Sequence, residues 1–269
     1  MHRKRAIAIC AIAAGAVATA PAAAEAKRVI TMSGSTSVAP LAALLAKEYI
    51  KSNSSIKFKL AQGGSDIGVA DVAAGRVTIG NSSRDPKPTD PGGIVFNKIA
   101  KDAICVVTNP DNPLANIDQA TIQAVFSGKI TDWSKVPGST ISGPIDLTVR
   151  TAASGTQDAF QKIFMGSSTV SGSAAQKASN GLIQQTVASN KQAIGYVSLD
   201  FVAGTNSVGY KGVACNLRNA KSGEYGGVRN FWMVTRGTPK GPVAAFLKWV
   251  QESAKANKIV GKHWVPLHD

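Results

Sequence analysis

Three short clusters of Ser, Thr and Gly share one arrangement: each follows an apolar strand and precedes an amphipathic helix. They lie at 33–37, 63–65 and 154–156. A helix N-terminus carries unpaired backbone N–H groups and about half a positive charge, so it attracts anions. Small hydroxyl residues let an oxyanion approach closely and donate further hydrogen bonds to it. If the fold brings the three turns together, they would enclose a tetrahedral oxyanion.

One arginine is spaced to join such a site. Arg150 ends a predicted strand and precedes Ser154 by four residues. A guanidinium there could contact two oxygens of an anion at once. The alternative is an ordinary ion pair at the surface. Likewise, Thr36, Ser37 or Ser65 could simply cap its helix, which would contribute about 1 kcal/mol of stability.

Strands and helices alternate along the chain, which predicts an α/β architecture with largely parallel sheets. The segment 56–60 alternates apolar and polar residues with period two, as a half-buried strand does. Asp118 is a candidate N-cap for a helix over 119–126. Further strands are predicted at 29–32, 77–80, 104–108 and 147–150, and further helices at 38–51, 67–74, 157–165 and 242–256.

The first 26 residues have the pattern of a cleaved secretory signal. Three basic residues, 3–5, precede an apolar run over 6–20 and a small-residue stretch that ends at Ala26. A membrane anchor is the alternative, although the run is short and rich in alanine. The signal removes three basic residues and one acidic residue, so the formal net charge of +14 falls by only two. The remaining positive charge favours capture of anions.

The composition weighs against several other classes. The basic residues are dispersed without an interleaved aromatic stripe, which argues against nucleic-acid binding. After the signal, the only histidines are His263 and His268, so a metal site is not expected. Cys105 and Cys215 are consistent with one disulfide in an exported protein. A buried free thiol at Cys105 is the competing interpretation, and the two stay open here.

Taken together, these residues resemble the short form of the phosphate-binding component of bacterial phosphate ABC transporters, which has the type II periplasmic binding protein fold. No single motif is specific, but their order spans nearly the whole chain after the signal. The matching segments are SGSTSVAPL (33–41), QGGSDIG (62–68), IGNSSR (79–84), TIQAVFSGKITDW (121–133), SGTQDAF (154–160), AIGYVSL (193–199) and FWMVTRGTPKG (231–241).

The resemblance implies two lobes that close on inorganic phosphate, each built on a central, mostly parallel sheet flanked by helices. The first lobe would comprise 27–108 and 206–269, and the second 109–205. It also implies a non-enzymatic monomer without a cofactor, located in the periplasm or cell-wall space, that delivers phosphate to the permease subunits. The oxyanion contacts that carry over are Thr36, Ser37, Ser65, Ser83, Arg150, Ser154, Gly155 and Thr156.

Three positions depart from the pattern of some relatives. Ser83 stands where longer relatives have an aspartate that accepts the proton of hydrogen phosphate, and shorter relatives have the Ser-Arg pair seen here. Ala152 stands where a longer relative has an aspartate that pairs with the site arginine. Gln157 stands where many short relatives have arginine. The anion site is left intact, but the source of discrimination between protonated and unprotonated anions is open.

Asp66 and Arg84 are further candidates for the site. A carboxylate beside a bound anion is costly unless a proton lies between them, so Asp66 could accept phosphate and repel sulfate. Alternatively, Asp66 only interacts favourably with the helix dipole and faces solvent. Arg84 could face the cleft as a second cation or pair with a neighbouring acid.

Two other functions are compatible with parts of the pattern. A secreted hydrolase could use Ser154 as nucleophile, but it would need a base such as His263, His268 or a lysine. A binding protein of the same fold could instead take sulfate, molybdate or another oxyanion.

Overall fold

Helices and strands alternate along residues 28–268, the part of the chain that the computed structural model describes. The predicted signal, 1–26, lies outside these residues. The strands are β1 (Arg28–Gly34), β2 (Ile56–Leu60), β3 (Ile79–Ser82), β4 (Ile94–Thr108), β5 (Asn116–Ile117), β6 (Asp146–Arg150), β7 (Ala175–Lys177), β8 (Ala193–Ser198), β9 (Asn206–Tyr210) and β10 (Val228–Arg236). The helices are α1 (Ala39–Tyr49), α2 (Ser65–Ala73), α3 (Gln119–Phe126), α4 (Gly155–Phe160), α5 (Asn180–Ser189), α6 (Leu217–Ser222), α7 (Gly241–Glu252) and α8 (Ala254–Val260).

The strands form one continuous mixed sheet in the order β2-β1-β3-β10-β4-β8-β6-β7, with β9 beside β4 and β5 beside β9. This corrects the expectation of a separate, mostly parallel sheet in each lobe. The reason is the length of β4. Its residues 94–103 pair antiparallel with β10, and its residues 104–108 pair antiparallel with β8 and β9. A single long strand therefore belongs to both halves of the sheet.

Two large apolar cores lie along this sheet. The larger core contains residues between 103 and 225 together with Val265, and it includes Trp133, Phe160 and Tyr196. The other large core combines residues between 30 and 100 with residues between 231 and 264. Both surround the middle of β4, where the strand changes partners.

Cys105 and Cys215 form a disulfide inside the larger core, with their Cα atoms 5.6 Å apart. This finding resolves the alternatives that the sequence left open. The bond joins β4 to the segment before α6 across 110 residues of chain. It therefore fixes a late part of the chain to the strand shared by both halves of the sheet.

Several local predictions are confirmed. Strand β2 has the predicted bounds, and α3 begins after Asp118, whose carboxylate accepts the backbone N–H of Thr121 at 2.7 Å. The helix predicted over 242–256 is instead two helices, because Ser253 adopts extended backbone and caps α8. No helix within 28–268 has both the length and the apolar character needed to cross a bilayer.

Candidate functional site

The first turn presents two hydroxyls that do not cap its helix. Gly34 ends β1 with φ of 124°, and a Cβ there would lie 2.3 Å from the carbonyl oxygen of Asn81. Ser35 accepts the backbone N–H groups of Ser37 and Val38 at 3.2 and 3.3 Å. Because Ser35 takes this role, the hydroxyls of Thr36 and Ser37 are available for other contacts.

The second and third turns touch each other. The N–H of Asp66 donates to the carbonyl of Ala153 at 3.1 Å, and a Cβ on Gly64 would lie 2.6 Å from that oxygen. A Cβ on Gly155 would lie 2.2 Å from the Ser65 hydroxyl oxygen. The two glycines thus allow helices α2 and α4 to begin within contact distance.

Six buried hydroxyl side chains meet where the turns converge, and we call them the hydroxyl cluster. They are Ser35, Thr36, Ser37, Ser65, Ser83 and Thr156. Ser35 Oγ donates to Ser83 Oγ at 2.8 Å, and Ser65 Oγ lies 3.3 Å from Ser83 Oγ. Ser37 Oγ lies 3.0 Å from Thr156 Oγ1, across 119 residues of sequence. The structure therefore places the predicted hydroxyls of all three turns in one cluster.

Arg150 lies against this cluster and is only 2% exposed. Its Nη2 donates to Thr36 Oγ1 at 3.1 Å and its Nη1 to Thr156 Oγ1 at 3.4 Å. Its other donors reach the backbone carbonyls of Lys177 and Ala178. Among residues 28–268 it forms no ion pair with a carboxylate.

Burial lowers the pKa of Arg150 to about 10; Tyr196 opposes the fall and the charge of Arg229 adds to it. The cause is that the low-polarity surroundings disfavour the charged form. A buried charge without a counter-ion is costly in a folded protein. An anion held by the hydroxyl cluster would supply the missing charge. The arrangement is therefore suited to binding an anion.

Ser154 acts as a helix cap. Its hydroxyl oxygen accepts the backbone N–H groups of Thr156 and Gln157 at 3.1 and 3.4 Å. The two histidines within 28–268 have other contacts: His263 lies 3.2 Å from Asp200, and His268 contacts the Gln251 carbonyl. Neither supplies the base that a nucleophilic Ser154 would need.

Arg84 and Asp66 contact each other rather than the hydroxyl cluster. The Nε of Arg84 donates to Asp66 Oδ1 at 2.6 Å, and its two terminal nitrogens donate to Asp90 at 2.9 and 2.6 Å. Lys87 bridges Asp66 and Asp158, the latter at 2.7 Å. Of the two alternatives for Arg84, the structure therefore supports pairing with neighbouring acids. The carboxylate of Asp66 is committed to cations and is partly exposed.

Arg229 and Asn180 contact the cluster and Asp102 pairs with Arg229, and none of the three was among the residues predicted for the site. Arg229 donates to Ser37 Oγ at 2.9 Å and to Asp102 Oδ2 at 2.8 Å. Asn180 donates to Thr36 and Ser37 at 3.2 and 2.8 Å. Burial raises the pKa of Asp102 and lowers that of Arg229, and their mutual ion pair opposes both shifts.

A signal for two of these residues was present in the sequence. Arg229 alternates with Phe231 and Met233 on the buried face of β10, so a charge occupies a core-facing strand position. Asp102 is likewise buried within the apolar run of β4. Buried charges are normally paired, so the two positions could have been predicted to meet. Asn180, at the start of α5, carries no comparable signal.

The described residues, 28–268, hold no group of three or more His, Cys, Asp or Glu side chains that could bind a metal ion. The polar groups that converge on the site are hydroxyls, amides and guanidinium groups. These are donors for an anion rather than ligands for a cation.

Comparisons with known proteins agree with this description. A family model described as a PBP superfamily domain matches residues 21–254. The Phosphate-binding protein PstS of Bacillus subtilis is 25% identical over 246 residues, which cover 89% of this chain and 81% of that protein.

Two solved structures share the fold over most of the chain. A putative phosphate ABC transporter substrate-binding protein from Clostridium perfringens, solved with bound phosphate, has a TM-score of 0.84 and 28% identity. That match covers 89% of this chain and 100% of the other. An ABC-type phosphate transport receptor from Vibrio cholerae has a TM-score of 0.70 and 26% identity, covering 88% and 99% of the two chains.

Proposed function

Because this chain belongs to the PBP superfamily, we propose that it is the phosphate-binding protein of a phosphate ABC transporter. The proposal is supported by relatives named for phosphate binding and by a matching structure that contains phosphate. The protein would capture inorganic phosphate outside the cytoplasmic membrane and deliver it to the permease subunits. It would act as a monomeric receptor and not as an enzyme.

One observation carries the proposal. Arg150 is buried, lacks a carboxylate partner among residues 28–268, and donates to two hydroxyls of the cluster. A tetrahedral anion with four acceptor oxygens complements such a set of donors. The ligand contacts that we propose are Thr36, Ser37, Ser65, Ser83, Arg150, Ser154, Gly155 and Thr156.

We further propose that binding closes two lobes around the anion. The sequence predicts a first lobe of 27–108 and 206–269 and a second lobe of 109–205, and β4 would be one connection between the lobes. The larger core also contains Val208, Tyr210 and Tyr225. We therefore place the point where the chain returns from the second lobe to the first near Gly227 rather than at residue 206. Hydrogen bonds made only in the closed form would favour that form when phosphate is present.

The proposal is tested by calorimetric titration of residues 27–269 with inorganic phosphate. Arg150→Ala should weaken binding by about 100-fold or more, since hydrogen bonds to charged groups contribute roughly 1.5–3 kcal/mol each. Arg218→Ala is a matched control, because it removes the same charge from an exposed position. Phosphate binding by Arg150→Ala with wild-type affinity would contradict the proposed site. Preferential binding of sulfate or molybdate in competition would change the ligand but keep the fold.

A further inference from the structure

The hydrogen bonds around Thr36 determine which way its proton points. A hydroxyl oxygen accepts two hydrogen bonds and donates one. Thr36 Oγ1 accepts from Arg150 Nη2 at 3.1 Å and from Asn180 Nδ2 at 3.2 Å. Both donors are groups that cannot accept a proton in return. With both acceptor positions filled, the Thr36 hydroxyl can act toward a ligand only as a donor.

Ser37 is arranged in the same way. Its Oγ accepts from Arg229 Nη2 at 2.9 Å and from Asn180 Nδ2 at 2.8 Å. Its proton is left for a ligand or for Thr156 Oγ1, 3.0 Å away. Thr156 Oγ1 also accepts from Arg150 Nη1. If it accepts the Ser37 proton as well, both of its acceptor positions are filled and its hydroxyl can only donate. When Ser37 donates to Thr156, the hydroxyls of Thr36 and Thr156 present only protons to a ligand and Ser37 has no acceptor position left; we call these three residues the donor corner.

Asn180 connects the two hydroxyls because its amide group has two protons, one for each. The orientation of the Asn180 amide is fixed by a contact outside the hydroxyl cluster: its carboxamide oxygen accepts the backbone N–H of Ser198 at 3.2 Å. The side chain is fully buried. Reversing the amide would place an acceptor against the two hydroxyls and leave the Ser198 N–H facing a donor. The β8 backbone therefore dictates that Asn180 donates toward the cluster.

The opposite corner keeps the capacity to accept a proton. Ser83 Oγ accepts one hydrogen bond from Ser35, and Ser65 Oγ accepts one from the Ser83 backbone N–H. Each of these two oxygens retains a second acceptor position, unless the other hydroxyl donates into it across 3.3 Å. One of the pair can therefore accept the proton of a ligand.

We propose that Asn180 is a positioning residue that makes the Thr36 and Ser37 hydroxyls donate only, and so orients hydrogen phosphate with its P–OH toward Ser65 and Ser83. This inference rests on the proposed function. It also assigns a preference: dibasic phosphate satisfies the donor corner with unprotonated oxygens. Monobasic phosphate has a second proton, which must point either at the donor corner or at another protein group packed closely against the anion.

The test is the pH dependence of phosphate affinity, measured by calorimetry from about pH 6 to about pH 8.5 for the wild type and Asn180→Asp. Asn180→Asp keeps the shape of the side chain and the acceptor for Ser198, but replaces the donor with a second acceptor. Thr36 and Ser37 would then turn their protons toward the carboxylate. At the upper pH, we expect affinity to fall by roughly 10- to 100-fold. The preference should shift toward monobasic phosphate, so the loss is smaller at low pH.

Sulfate titrations over the same range report on the protein alone, because sulfate does not change charge there. The charged and titratable groups that face the donor corner are Arg150, Arg229 with Asp102 behind it, and the Tyr196 hydroxyl, which accepts the Arg150 backbone N–H. A change in sulfate affinity with pH would reveal titration of one of these groups. Dividing the phosphate affinity by the sulfate affinity at each pH removes that contribution.

Asn180→Ala provides a second variant in case the buried carboxylate prevents folding. It removes one donor from each hydroxyl and should shift the pH profile in the same direction by a smaller amount. Parallel pH profiles for the wild type and both variants would overturn the inference while leaving phosphate binding established. If the wild type bound no phosphate at any pH, the proposed function would fail and this inference with it.

Discussion

The guanidinium of Arg150 donates to the hydroxyl of Thr36 at 3.1 Å, although 114 residues separate them. Thr36 belongs to the turn after β1, and Arg150 ends β6 in the other half of the sheet. The contact therefore crosses the molecule at the point where all three small-residue turns meet. It holds a cation in place while supplying no negative charge to balance it.

Arg150→Met should separate binding from stability. Methionine keeps much of the volume and removes a buried charge that has no carboxylate partner within 28–268. We expect the free energy of unfolding of the ligand-free protein to fall by only about 1–3 kcal/mol, because methionine leaves the carbonyls of Lys177 and Ala178 without their donor but also removes an unpaired buried charge. Thermal unfolding with and without phosphate measures both effects. The ligand-dependent rise in Tm should disappear.

Arg229→Met is the matched contrast, because Arg229 does have a partner. The substitution leaves Asp102, which is wholly buried, without its counter-ion at 2.8 Å. We expect a loss of about 3–5 kcal/mol in the free energy of unfolding. Urea unfolding of the ligand-free protein measures it. A loss no larger than that of Arg150→Met would show that the ion pair does not control stability.

The elements that were predicted correctly are those whose pattern lies in neighbouring residues. Strand β2 follows from its period-two pattern, and α3 follows from the Asp118 cap. The hydroxyl turns could be selected because Ser, Thr and Gly before a helix have a direct physical meaning. Each turn can be recognised from residues that are close together in the sequence. Only the chemistry of anion binding suggests that the three turns meet.

The remainder depends on contacts distant in sequence. The first ten residues of β4 were not predicted as a strand, because polar residues such as Asn97 and Lys98 interrupt the apolar pattern; pairing with β10 holds them extended. Asn180 acts through partners 143 and 144 residues away. Local patterns carry no information about such partners, so the sequence did not point to Asn180.

Gly155→Ala should strongly weaken binding, because a Cβ there would crowd the junction between two turns of the site. A Cβ there would lie 2.2 Å from Ser65 Oγ and 2.8 Å from Ser83 Oγ, so the two turns would have to separate. We expect phosphate affinity to fall by at least about 100-fold, since roughly 1 Å of displacement breaks hydrogen bonds to a small ligand. Calorimetric titration is the measurement.

Gly181→Ala is the control for that substitution. Gly181 lies in the first turn of α5, where a Cβ would lie 3.9 Å from the hydroxyl oxygen of Ser179, an ordinary contact distance. Alanine should therefore leave affinity unchanged and raise helix stability by up to about 1 kcal/mol. Equal loss of affinity in both variants would show that general helix perturbation, rather than crowding at the site, is responsible.

Removing the disulfide should lower stability without altering the anion site. The Cys105→Ala/Cys215→Ala double variant opens a cross-link between residues 110 positions apart, both of them buried. We expect the free energy of unfolding to fall by about 2–5 kcal/mol. Phosphate affinity should change by less than about threefold, because neither cysteine contacts the hydroxyl cluster. Urea unfolding and calorimetry on the same preparation test the two parts, and a large loss of affinity would contradict the separation.

Ser83→Asp should make the site reject sulfate. Ser83 has only neutral neighbours in the cluster, receiving a hydrogen bond from Ser35 and lying 3.3 Å from Ser65 Oγ. A serine hydroxyl can rotate to donate to sulfate or to accept from hydrogen phosphate, so it discriminates weakly. A carboxylate accepts a ligand proton but repels an unprotonated oxygen. The ratio of phosphate to sulfate affinity should therefore rise by about tenfold or more, measured by competition titration. Ser83→Asn has a similar shape without the charge, and an equal rise in that variant would attribute the discrimination to size instead.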